Sequence, residues 1–344
     1  MRPEILHIPL RPGRVIGISL LLLAVLGLAV IASLLIGTAR IGPGELWGLL
    51  TGDAGVDETS GLVLFRIRLP RILLSGLVGF SLALGGLVFQ AVLRNPLADP
   101  FILGVSSGGA FGAVLGIVLG MGFRLGIPLM SFAGALMTVY GVLLIGRGRM
   151  GLESSTILLA GVIVNAFFTA IIMFFIATAA DDRLYSMLFW LYGDLSQSYY
   201  EQSAILAPVV LSGFIVLYSL ARHLNIMTAG EETALQLGVN VERAKMVGFL
   251  VVSLMIGLVV SFSGLIGFVG LIVPHLGRML FGSDHRLLMP VSALGGAIFL
   301  MIADAVARTV ISPNELPVGV ITAFLGAPFF IYLLKTRGSG WSRS

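Results

Sequence analysis

Residues Met227–Lys245 read MTAGEETALQLGVNVERAK, the longest polar interruption in the C-terminal half of a chain that is otherwise strongly apolar. Thr228 with Glu231 three residues later has the form of a capping box, acidic residues fill the first turn, and Gly238 stands where a left-handed C-terminal cap belongs. The spacing predicts a two-turn helix. Asn240 then caps a second helix that runs through Glu242, Arg243 and Lys245 into the next apolar run, so the unit reads helix, glycine, helix between two membrane spans. The same letters also suit a loop that merely obeys helix grammar, and the surroundings have to separate the two.

Those surroundings are greasy. Of 344 residues, 57% are hydrophobic and 11% charged, with a mean hydropathy of +1.04, far outside the range of soluble globular chains. The composition predicts an all-α polytopic membrane protein. Cysteine is absent, which excludes disulfides and thiolate metal sites, and the four histidines are scattered rather than clustered. A net charge of +4 does not point to nucleic acid here, because positive charge in a membrane chain normally sits at the cytoplasmic ends of spans.

Moving outward from the polar stretch, apolar runs long enough to span occur at 15–37, 72–93, 101–121, 125–146, 156–180, 203–221, 246–264, 287–307 and 316–334, with a shorter run at 268–281. Ten crossings are expected, with a polar, glycine-containing excursion at 42–60. Ten crossings place both termini on one side. With the N-terminus inside, fourteen of the 21 lysines and arginines lie on inner segments, which predicts cytoplasmic termini and a cytoplasmic Met227–Lys245 unit. No linker or low-complexity tract divides the chain, so residues 1–344 read as one transmembrane domain. The 45 glycines, many inside spans, predict closely approaching helices. A faint internal echo, ALGGLVF at Ala83–Phe89 and ALGGAIF at Ala293–Phe299, hints at a repeat.

The chain carries no phosphate-binding G-x-x-x-x-G-K-[ST] loop, no H-E-x-x-H and no spacing that singles out a nucleophile or a carboxylate pair within the spans. No catalytic residue, cofactor or metal is expected. Ionisable groups inside spans are scarce, which disfavours a carrier driven by an ion gradient. Asp304 is the clearest, and Arg308 one turn later on the same helix face predicts a local ion pair. Asn95-Pro96-Leu97-Ala98-Asp99-Pro100 reads as a turn in which two prolines stop helices and Asn95 and Asp99 supply cap groups. His275, alone among apolar residues, reads as a satisfied buried histidine. Arg66, Arg68 and Arg71 cluster at the outer side, either snorkelling to membrane lipid phosphates or meeting acidic groups of a soluble partner.

RLPR at Arg68–Arg71, NPLADP at Asn95–Pro100 followed by LGVSSGG at Leu103–Gly109, GFVGLIVPH at Gly267–His275 and ELPVGVITAFLGAPFF at Glu315–Phe330 together resemble FecCD-type permeases. These are the membrane subunits of type II ABC importers for cobalamin, ferric siderophores and haem. The resemblance, which opposes a purely structural scaffold, implies a ten-helix type II importer permease fold in the inner membrane. It implies a homodimer around one pathway for a metal chelate, two copies of a separate cytoplasmic ATPase, and a periplasmic or lipid-anchored substrate-binding protein. It places coupling helices at 227–245, with Thr228, Glu231, Glu232, Gly238, Asn240 and Arg243 as contact residues. It assigns docking of the binding protein to Arg68, Arg71 and Arg308, and a cytoplasmic gate to Ser154 and Ser155. Glu153 departs from the family pattern by putting a carboxylate beside that gate. Asn165, further along the same helix, faces either the pathway or a helix–helix hydrogen bond.

Overall fold

Among the described residues, ten apolar helices coincide with the ten predicted crossings. The computed structural model describes residues 11–39, 41–51, 57–101, 104–148, 151–152, 154–179 and 181–337. In chain order the helices are α1 (Pro12–Leu35), α2 (Pro43–Thr51), α3 (Glu58–Leu62), which continues through a π-helical stretch at Val63–Arg68, α4 (Leu69–Val92), α5 (Val105–Val118), α6 (Gly126–Ile145), α7 (Ser154–Thr178), α8 (Asp181–Leu191) and α9 (Tyr200–Ser219). They continue with α10 (Ala221–Met227), α11 (Glu231–Gln236), α12 (Val241–Ser263), α13 (Val269–Phe281), α14 (His285–Ala307) and α15 (Val318–Arg337). Seven helical segments are at least 18 residues long and apolar, and α5, α13 and α15 supply three shorter apolar ones. Between α6 and α7, a two-residue antiparallel bridge pairs Arg147 with Leu152 and Gly148 with Gly151.

The bundle is built around α4. Leu74, Val78, Leu82, Leu84, Leu87, Val88 and Phe89 are fully buried, and the glycines, alanines and serines between them let neighbours approach on every side. α14, α12, α13 and α9 pack against it. At the α4–α14 crossing a Cβ added to Gly79 would overlap the Gly296 carbonyl oxygen, and at the α4–α13 crossing one on Gly86 would overlap the Gly270 carbonyl oxygen. The ALGG echo therefore lies on two helices that pack together, and its small residues meet, since a Cβ on Gly296 would approach the Ala83 methyl at 2.5 Å. α5 and α6 form a second backbone-to-backbone crossing, through Gly108, Gly112 and Gly134.

Contacts divide the helix ends between two faces. α4 ends and α12 begins beside Glu231 of α11, whereas α1 ends and α4 begins beside Arg308 at the end of α14. The first is called the α11 face and the second the Arg71 face. Four short helices were not expected, among them α3, which extends α4 backward into the polar excursion. α2 lies in the polar excursion and begins with Pro43 and Glu45 in its first turn. α8 is too short and too polar at its start to read as a span, and α10 carries Arg222, His223 and Asn225 within seven residues. The third apolar run becomes helical at Val105 rather than at 101, after Gly104 with φ +73°.

Candidate functional site

The polar unit folds as two helices, but its first cap is not the expected one. Thr228 ends α10, where its hydroxyl donates to the Asn225 carbonyl at 2.7 Å, and the residue that opens α11 is Gly230 at φ +132°. The capping box Thr228–Glu231 is thus corrected: α10 runs about two turns further than a span ending at 221 allows, and Thr228 is consumed by it. Glu231 instead turns inward, 2.7 Å from Lys245 Nζ on α12 and 3.5 Å from an Arg94 nitrogen at the end of α4. Gly238 adopts φ +78°, and Asn240 Oδ1 accepts the Arg243 N–H at 2.9 Å as the cap of α12. Glu232, Gly238, Asn240 and Arg243 are exposed. So are two leucines that the sequence reading passed over, Leu235 at 61% and Leu237 at 65%. With Ala234 buried beneath them and Glu231 pinned, α11 presents an apolar knob within a polar rim.

Two carboxylates on the α11 face have shifted acidity. Desolvation pushes the half-buried Asp99 up to about 6, against the lowering effect of the Phe101 N–H that donates to it at 2.9 Å. That bond, with the Leu97 N–H donating to Asn95 Oδ1 at 2.9 Å, makes the NPLADP block the turn its residues predict. Burial also pushes Asp284 up, but hydrogen bonds from Arg286 and Asn225 outweigh it and bring this carboxyl down to about 2.

At the opposite face the three arginines assigned to docking are turned inward. Arg68, Arg71 and Arg308 are 3%, 4% and 4% exposed. Arg71 Nε donates to both oxygens of Asp304 at 2.9 and 3.1 Å, and its Nη1 reaches Glu315 at 2.6 Å. Arg308 Nε lies 3.2 Å from Asp304 Oδ2, so the predicted i,i+4 pair is present, and its Nη2 donates to the Ser33 carbonyl. Arg68 donates to the carbonyls of Leu34 and Ala39. These guanidinium groups tie α1, α4 and α14 together, their charged ends turned to Asp304, Glu315 and backbone carbonyls rather than outward, where the docking role would need them. Arg66, Arg124 and Arg183 are the exposed cations among the described residues of this face, Arg124 being paired with Glu201.

Between the faces, α7 and α15 expose large apolar side chains, among them Phe167 at 63% and Phe324 at 73%. A groove of about 200 Å³ between α5, α7 and α8 is lined by Ser106, Ser107, Asn165 and Thr169 together with Ile172 and Leu265. Asn165 is exposed on α7 and lines this groove. A second groove of about 520 Å³ runs along α15 past Gly319, Phe324 and Pro328. Neither groove holds an ionisable carboxylate, lysine or arginine. Ser154 and Ser155 open α7 on the α11 face; their side chains, and Glu153, lie outside the described residues. His275 is buried, with its ring edge-to-face against Phe329 and Phe330. Among the described residues no group of three or more His, Asp or Glu is placed to hold a metal ion.

Comparison with known proteins agrees with this architecture. The family model described as the FecCD transport family matches residues 22–336. The cobalamin import system permease protein BtuC of Halobacterium salinarum is 46% identical over 283 residues, covering 82% of this chain and 76% of the relative. The hemin transport system permease protein HmuU of Yersinia pestis is 38% identical over 332 residues, covering 94% and 96%. A solved structure, an inward-facing conformation of a putative metal-chelate type ABC transporter, superposes with a TM-score of 0.79 at 33% identity, covering 93% of this chain and 99% of that one. A multi-pass all-α bundle without an ATP-binding loop, matched along most of its length by ABC permeases, belongs to the FecCD transport family.

Proposed function

We propose that this chain is the membrane subunit of an importer that passes a metal chelate into the cytoplasm, driven by a separate ABC ATPase bound at α11. The observation that carries the reading is the exposed Leu235–Leu237 knob on a short helix whose other side is pinned by Glu231 to Lys245 and Arg94. A mobile loop would not transmit force, and a pinned helix does. Glu232, Gly238, Asn240 and Arg243 form the polar rim of this contact, while Thr228 and Glu231 fix the helix behind it. The excess of lysine and arginine supports a cytoplasmic α11 face, and with it cytoplasmic termini, in an inner-membrane protein.

In this reading two copies pair with the exposed flanks of α7 and α15 turned toward each other, which covers their apolar side chains and encloses both grooves. The lining of small, neutral and apolar groups holds a bulky chelate weakly, as passage requires. Ser154 and Ser155 stand where α7 meets the cytoplasm and form the inner constriction, with Asn165 above it. A substrate-binding protein docks on the Arg71 face, whose shape the buried arginine cluster maintains. ATP binding closes the ATPase pair, and the energy difference between its contacts with the two states shifts the pathway from outward to inward opening. The names of the relatives support a corrinoid, a haem or a ferric chelate as cargo. Proteoliposomes holding the permease–ATPase complex and the binding protein should take up cyanocobalamin or hemin with ATP, and vanadate should abolish uptake. Uptake that ignores vanadate but follows an ion gradient would overturn the reading.

A further inference from the structure

One side chain stitches the segment leading into α11 to the start of α14. Asn225, half-buried on α10, uses both ends of its amide. Its Oδ1 accepts the backbone N–H of His285 at 2.8 Å and lies 2.7 Å from His285 Nδ1, while its Nδ2 donates to Asp284 Oδ1 at 2.8 Å. The backbone donor fixes the amide orientation, so His285 carries its proton on Nδ1. Asp284 in turn caps α14, accepting the Arg286 N–H at 2.9 Å, and is gripped by the Arg286 guanidinium at 2.6 and 3.0 Å. Every one of these Asn225 bonds leaves its own helix for the first turn of α14.

The receiving element is one continuous helix, interrupted only by the hydrogen bond that Pro290 removes near its start. α14 has 23 residues, roughly 35 Å of helix at 1.5 Å per residue, and it meets α4 backbone-to-backbone at Gly79 and Gly296. Its far end carries Asp304 and Arg308, the centre of the buried cluster on the Arg71 face. A displacement of α10 and α11 therefore reaches α14 through directed bonds, and α14 connects the two faces.

We propose that Asn225 and Asp284 form the joint that transmits movement of α11 to α14, a positioning pair for coupling rather than a contact with ATPase or cargo. This rests on the reading that α11 receives the ATPase. Chemistry supplies a reciprocal test. Asn225→Asp sets two carboxylates against each other and breaks the joint. Adding Asp284→Asn restores it with donor and acceptor exchanged, since Asn also caps a helix well.

The chain has no cysteine, so Val310→Cys, exposed just beyond the end of α14, gives a single spin-label site per copy. The distance between the two labels in the homodimer–ATPase complex is measured by pulsed electron paramagnetic resonance, with and without trapping by ATP and vanadate. We expect trapping to shift the distance in the parent, Asn225→Asp to lose the shift while the ATPase stays bound, and the exchanged pair to regain it. A parental shift that persists in Asn225→Asp overturns the joint, and so does an assembled exchanged pair that stays still. If Asn225→Asp does not assemble, the exchanged pair alone decides in the same way. Absence of any shift in the assembled parent brings down the coupling reading, and the joint with it.

Discussion

Replacing Asp304 by alanine is the perturbation whose cost the structure defines best. The carboxylate is 1% exposed and accepts from Arg71 Nε at 2.9 and 3.1 Å, with Arg308 Nε at 3.2 Å. Its removal leaves two guanidinium groups, each about 95% buried, with one acidic partner, Glu315, that only Arg71 reaches. Breaking a buried pair by deleting one member costs about 3–5 kcal/mol, because an uncompensated charge stays inside. Here two arginines lose a partner at once, so the upper part of that range is expected. Converting the three buried members, Arg71→Met with Asp304→Leu and Arg308→Met, removes their charges together, leaves Glu315 at 37% exposure to be solvated, and should return stability to about the parent value. Both variants can be compared by SDS titration in mixed micelles followed by tryptophan fluorescence. A loss below about 1 kcal/mol in Asp304→Ala, the size expected of an exposed pair, would refute the assignment of this cluster as a buried structural clamp.

Gly238→Val forces a β-branched residue into φ +78°, at a local cost of about 1–2 kcal/mol, although nothing lies within 4 Å of the added Cβ. Such a variant should fold and bind ATPase yet hydrolyse ATP without uptake, which parallel ATPase and flux assays would show. Asp99→Asn keeps the acceptor for the Phe101 N–H and removes a charge that desolvation disfavours. The folded carboxyl, at about 6, binds its proton more tightly than the unfolded one near 3.8, so parental stability falls as pH rises through that window. The variant should therefore melt higher than the parent at pH 8, and the gain should vanish near pH 4. Gly79→Val would drive its side chain into the Gly296 carbonyl and the Leu300 Cβ, and overpacking of this kind costs about 1–3 kcal/mol or more. Lower thermal stability in detergent is expected, whereas Gly17→Ala, with open space around it, should be neutral.

The span pattern was legible because lipid imposes one rule on every crossing: an apolar run with its backbone bonds satisfied internally. Gly238 and Asn240 were legible as well, since a left-handed residue and a helix cap depend on the local chain alone. Thr228 was misread because the letters of a capping box cannot show that the preceding helix extends into it. α8 and α10 escaped for a related reason, as both are short, carry charges and take their stability from packing rather than from length. The arginines of the Arg71 face were legible as a cluster, but not as an interior one. Asp304 and Glu315 stand more than 230 residues from Arg71 in sequence, and nothing in local spacing brings them together. Asn225 gave no signal at all, because its partners lie about 60 residues away. Leu235 and Leu237 were visible as two leucines inside a polar stretch, a pattern that marks either a buried helix face or an exposed contact, and only the fold separates those.

The central claim is that α11 faces the cytoplasm and receives the ATPase. Leu235→Cys in this cysteine-free chain tests it with a membrane-impermeant maleimide applied to intact cells, to inverted membrane vesicles, and to inverted vesicles supplemented with the ATPase. The account predicts no labelling from outside, labelling in inverted vesicles, and protection when the ATPase is present. Labelling of intact cells, or labelling in inverted vesicles that the ATPase leaves unchanged, would contradict it.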